Sequence, residues 1–153
     1  MIGAGCDLHT EVERKTRFLM AGIVPGRTAG ESVGVRLAMF SPLPAGARVS
    51  VTHDNGAGFA RHTRLRDGLG MDTYFADPYS SRRRGGNENG NGMIRRYLPE
   101  RSEIRMGMAG ELREIVDEAD NRPMRVLDYR TPAEAFADEL LELQDQQGCC
   151  TSK

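Results

Sequence analysis

Between Val49 and Ala76 the chain changes its pattern in a way that leaves few folds open. Val49 and Val51 alternate with Ser50 and Thr52, the two-residue period of a half-buried strand, and run directly into Asp54-Asn55-Gly56. A polar stretch from about Ala60 to Leu69 has helical character, and Asp72 to Ala76 reads as a second strand. Strand, helix and strand in this order point to an α/β sheet. The order also sets a carboxylate at the C-terminal end of a strand, where sheets of this kind gather their ligands.

The flanking segments fit the same class. Residues 11 to 24 read as a β-hairpin, with Val12 on one strand and Phe18, Leu19, Ile23 and Val24 on the other, joined across Arg14-Lys15-Thr16. After Pro25-Gly26, Thr28 and Glu31 form a capping box ahead of Val33, Leu37 and Phe40, which share one helical face, and Pro42 and Pro44 end that helix. Met93 to Leu98 predicts a short helix, and Gly110 to Ala119 a longer one with Leu112, Ile115, Val116 and Ala119 on one side. Thr131 and Glu134 make a second capping box with Pro132 at the first helical position, and Phe136, Leu140 and Leu143 line the face that follows. The tail after Gln144 reads as disordered.

A length of 153 residues suits one domain, and 39% hydrophobic with 28% charged residues is the balance of a globular chain. The net charge of −1 conceals an asymmetry, because residues 81 to 105 hold 7 basic and 3 acidic side chains while 106 to 153 hold 5 and 11. Cys6 stands alone and Cys149 and Cys150 are adjacent, a spacing that makes neither a disulfide framework nor a zinc site and suits a reducing, cytoplasmic compartment. The longest apolar run, Phe18 to Val24, is far too short to span a bilayer, so no membrane association is expected.

Asp54 and Glu88, with 33 residues between them, are the candidate catalytic and metal-binding pair. Phosphodiester chemistry with two magnesium ions needs hard oxygen ligands gathered from separate elements, to activate the attacking oxygen and stabilise the leaving one. Asp-Asn-Gly is also a strong turn signal, and the Gly/Asn-rich run around Glu88 could be a plain loop. Arg82, Arg83, Arg84, Arg95 and Arg96 bracket Glu88 and, with Asn87 and Asn91, are candidate DNA contacts that would hold phosphates in register; alone they would read as a solvated arginine-rich loop. The Asn87, Asn89, Asn91 alternation fails as a calcium loop, because the expected bidentate Glu is Leu98. Gly3-Ala4-Gly5 lacks the rest of a dinucleotide fingerprint, and His9, His53 and His62 show no metal-ligand spacing.

Taken together, the segments resemble the catalytic core of the DDE transposases of the IS-thirty family. The resemblance runs through Val12 to Phe18, Asp54-Asn55-Gly56, Phe59 and His62, Tyr74 to Ser80, Arg84-Gly85, Asn87-Glu88-Asn89, Asn91-Gly92, Arg95, Tyr97 and Pro99, and closes with Asn121-Arg122-Pro123 and Tyr129 to Glu134. It implies a ribonuclease H-like integrase core, a mixed sheet flanked by helices, over residues 1 to 144, with 145 to 153 as a disordered tail. It further implies Mg2+ or Mn2+, cleavage and strand transfer on DNA at transposon ends and target, and a homo-oligomer or a full-length transposase as partner, nucleoid-associated when on DNA. Asp54 would be the second Asp and Glu88 the closing Glu of the triad. Met1 falls just after the place of the family's first Asp, so the expectation is a core without its central strand, inactive by itself. Gly58 stands where the family usually has a Glu, and the family's helix-turn-helix region is not expected within these residues. The alternative expectation is a non-catalytic DNA-binding or regulatory remnant.

Overall fold

The structure, a computed structural model, describes residues 6–26, 28–53, 63–75, 90–99 and 102–149. Strands β1 (Asp7–Val12) and β2 (Leu19–Val24) pair antiparallel over six positions, from Asp7 opposite Val24 to Val12 opposite Leu19. The hairpin expected from the sequence is there, but β1 starts earlier than its apolar residues suggest. Asp7, His9, Thr10 and Glu11 join the strand because β2 offers it a full ladder. At the corner, Thr16 donates both its N–H and its hydroxyl to the Glu13 carboxylate, and Arg17 takes a left-handed backbone with φ 64°. The Phe18 ring stacks on Phe136, with centroids 4.3 Å apart.

Helix α1 (Ala29–Phe40) opens with the predicted capping box, the Thr28 hydroxyl accepting from the Glu31 N–H and the Glu31 carboxylate accepting from the Thr28 N–H. It lies so close to β2 that a Cβ on Gly22 would come within 2.6 Å of Val35 Cγ1. Inside this contact Arg36 is fully buried. Its Nε donates to His9 Nε2 at 2.9 Å, its terminal nitrogen donates to Ser32 Oγ at 3.2 Å, and Glu11 supplies the counter-charge 3.8 Å away.

Strands β3 (Ser50–His53) and β4 (Asp72–Phe75) pair in parallel, Ser50 with Asp72 through His53 with Phe75, joined by a crossover that contains α2 (Thr63–Leu69). Phe40, Val51, Leu65 and Met71 bury together beneath α1 and α2. Among the described residues β1–β2 and β3–β4 form two separate pairs. Helix α3 is described over 90–97, so that it already includes the three residues before the predicted Met93, and it buries Met93 and Ile94.

Helix α4 (Ala109–Asp120) and helix α5 (Pro132–Cys149) complete the chain. Leu112 and Ala119 of α4 join Leu19, Ile23, Met93, Ile94, Leu98 and Ile104 in a second core on the hairpin. At the end of α4 the buried Asp120 carboxylate accepts the Leu19 N–H at 2.9 Å. Leu19 is the first residue of β2, so the carboxylate satisfies a polar group that an edge strand would otherwise leave bare. The Thr131–Glu134 capping box forms at the start of α5, and the helix continues to Cys149, beyond the break after Gln144 that the sequence suggests. Among the described residues no helix is long and apolar enough to cross a membrane.

Candidate metal and DNA site

Parallel pairing fixes the direction in which β3 and β4 deliver their next residues. Both strands end at the same level, His53 beside Phe75, and Asp54 is the residue that follows His53 in the chain. The strand itself is set by burial of Val51 (6% exposed) against Leu65 and Met71, while Ser50 and Thr52 face outward. Val49, expected to share the buried face with Val51, instead precedes the strand and is 66% exposed, so Val51 alone of the two anchors β3.

The second carboxylate, Glu88, stands two residues before Gly90, the first described residue of α3, and this end of the described helix is clamped to the hairpin. The Thr10 hydroxyl donates to Asn91 Oδ1 at 2.6 Å, and a Cβ on Gly90 would approach Leu19 Cδ1 and Val12 Cγ2 at 3.0 Å each. The full burial of Ile94 one turn later secures the helix. A side chain at position 90 would require the Leu19 and Val12 methyl groups to give by a few tenths of an ångström, which favours glycine at this place in the Gly/Asn-rich run.

Asp54, Glu88, Arg82, Arg83, Arg84 and Asn87 lie outside the described residues. Three of the sequence-predicted contacts are described, and all are on α3. Arg95 and Arg96 are exposed. The Asn91 side-chain oxygen accepts from the Thr10 hydroxyl. Among the described residues no group of three or more His, Cys, Asp or Glu could hold a metal ion. The sequence missed Thr10 as a determinant of the site, since a lone threonine 81 positions from its partner leaves no local signal.

No protein-family model matches the chain. The chain is 33% identical over 135 residues to the transposase for insertion sequence element IS1086 of Cupriavidus metallidurans, covering 88% of this chain and 40% of that protein. It is 37% identical over 130 residues to the transposase InsI for insertion sequence element IS30A of Escherichia coli K12, covering 83% of this chain and 33% of that protein. The chain therefore spans between a third and two fifths of the length of these relatives. Among solved structures it is similar to the catalytic core domain of BIV integrase, with TM-score 0.66 and 18% identity over 93% of this chain and 90% of that one. It is also similar to a chain of a simian T-cell lymphotropic virus intasome in complex with PP2A regulatory subunit B56 gamma, with TM-score 0.67 and 18% identity, over 85% of this chain and 48% of that one. At such identity the structural likeness shows the fold, a ribonuclease H-like integrase core.

Proposed function

Because the chain belongs to the IS-thirty family of DDE transposases, as a segment of the catalytic core, we propose that it takes part in metal-dependent cleavage and strand transfer of DNA. What supports this reading is the family likeness over most of the chain, together with two local features. The strand leading to Asp54 ends level with its parallel neighbour, and the helix described from residue 90, just after Glu88 in the sequence, is tied to the hairpin through Asn91 and Thr10. In this proposal Asp54 and Glu88 hold Mg2+ or Mn2+, hard cations that prefer carboxylate oxygens. The bound metal would polarise the scissile phosphate and activate the attacking oxygen.

The protein's own contribution is position and charge. Arg82, Arg83, Arg84, Asn87, Arg95 and Arg96 would hold phosphates of a transposon end or target, giving affinity that falls steeply with salt and depends little on sequence. Asn91 serves this indirectly, by fixing the helix that carries Arg95 and Arg96. A cytoplasmic location with association to DNA, and assembly with further transposase copies, belong to the same proposal.

Metal-directed cleavage of the polypeptide tests the site without requiring turnover. Fe2+ in place of Mg2+, with ascorbate and peroxide, is expected to cut the backbone near positions 54 and 88, and D54N and E88Q are expected to suppress both cuts. Uniform or absent cutting, unchanged in D54N, overturns the assignment of the metal. For DNA, the pair R95E and R96E is expected to weaken binding of a transposon-end duplex and lower the slope of its salt dependence by about 0.9 for each phosphate no longer neutralised; unchanged binding removes α3 from the interface.

A further inference from the structure

We propose that the cleft between α2 and β4 is a subsite for a single, unstacked DNA strand, in which a base stacks on Tyr74 and the adjoining phosphate meets Arg66. The proposal rests on the reading of the chain as a DNA-processing core. The cleft is lined by Thr63, Arg66, Asp72, Thr73 and Tyr74 and encloses about 210 Å³. Drug-sized and cofactor sites run from roughly 300 to 1,000 Å³ and are mostly apolar. This one is smaller and polar, dimensions that suit one nucleotide unit of a longer strand.

Tyr74 is 56% exposed although it sits within a strand. It pairs with Thr52, one step before the strand ends and two residues before Asp54 in the neighbouring strand's sequence. An aromatic face left open at the carboxyl end of a parallel pair is a stacking platform, and stacking tolerates any base because each presents a π-face. Arg66 is equally available. Among the described residues its ion pair is with Asp67 at 3.7 Å, both side chains being at least 65% exposed, a contact worth little in water.

Asp72 lines the cleft as well. Its carboxylate disfavours a phosphate near it, which gives the strand a direction, with the phosphate toward Arg66 and Thr63 and the base toward Tyr74. Duplex DNA would not use the platform, since its bases are already stacked. The subsite therefore favours a frayed end or a displaced strand, the form DNA takes where a strand is being cut and joined.

The test uses the whole chain and a single-stranded oligonucleotide carrying 2-aminopurine, with binding read by anisotropy and stacking by quenching. Y74L and R66E, each checked for unchanged far-UV circular dichroism, are expected to weaken single-strand binding by about tenfold, a loss typical of one base stack. Quenching should vanish in Y74L, and the salt dependence should fall by about 0.7 in R66E. D72N should tighten binding. If Y74L and R66E bind and quench like the parent while R95E and R96E weaken binding, the subsite is wrong and the DNA-processing reading stands. If the parent chain binds neither single strand nor duplex, both fail together.

Discussion

At the scale of single residues, Asp120 is a buried carboxyl under electrostatic load. It is 4% exposed, it ends helix α4 where the helix dipole is negative, and Asp117 lies one turn back. Burial pushes its carboxyl up to about 7, the Leu19 N–H acts against that shift, and Asp117 adds to it. The unfolded chain would titrate near 3.9. Between those two values the folded state binds the extra proton, so stability is fully present below about pH 4 and declines as pH rises through about 7. With ~1.4 kcal/mol per unit, the loss is on the order of 4 kcal/mol. D120N keeps the oxygen that accepts from Leu19 and removes the charge. Urea denaturation from pH 5 to 8 should show falling stability in the parent and a flatter profile in D120N, with D120N the more stable at pH 8; parallel profiles would mean that Asp120 does not carry a buried charge. Gly22 makes a second demand at this scale. A methyl there meets Val35 Cγ1 at 2.6 Å and Met39 Sδ at 3.3 Å, so G22A should cost about 1–3 kcal/mol, and V35A should recover part of it if the contact is the cause.

At the scale of elements, the sequence was most readable where local chemistry decides the outcome. Thr28 with Glu31 and Thr131 with Glu134 mark helix starts because a hydroxyl and a carboxylate three residues apart satisfy backbone N–H groups without outside help. Strand β1 and the first turn of α3 were less readable, and for the same reason as each other. Both depend on partners distant in sequence. The polar residues of β1 are held by the β2 ladder and by Arg36, and the first described turn of α3 is held by Asn91 reaching Thr10. T10V tests this coupling with little change of volume. Leaving Asn91 Oδ1 without its donor should cost about 1 kcal/mol. Amide exchange over residues 90 to 94 should quicken while α4 stays protected; equal protection in T10V would show that Ile94 and Gly90 suffice to hold the helix.

At the scale of the whole molecule, Asp54 and Glu88 lie outside the described residues, and their assignment stands as a proposal from residue type and spacing. What holds the described elements together was not legible in the sequence. Arg36 with His9, 27 positions apart, and Asp120 with Leu19, 101 apart, are polar pairs that only the folded chain brings together. These pairs bind two hydrophobic clusters into one body. Leu19 and Ile23 of β2 enter the cluster under α3 and α4, whereas Met20 of the same strand packs against the cluster of Phe40, Val51, Leu65 and Met71. Because successive strand residues face opposite sides, β2 cannot leave one cluster without opening the other. Truncating either cluster should therefore lower a single shared transition. I94A and L65A, each removing a fully buried side chain, are expected to cost about 2–5 kcal/mol and to keep far-UV dichroism and tyrosine fluorescence coincident on heating. Two separated transitions in L65A would mean that β3, α2 and β4 melt alone, and the strand leading to Asp54 would then be held independently of the helix that follows Glu88.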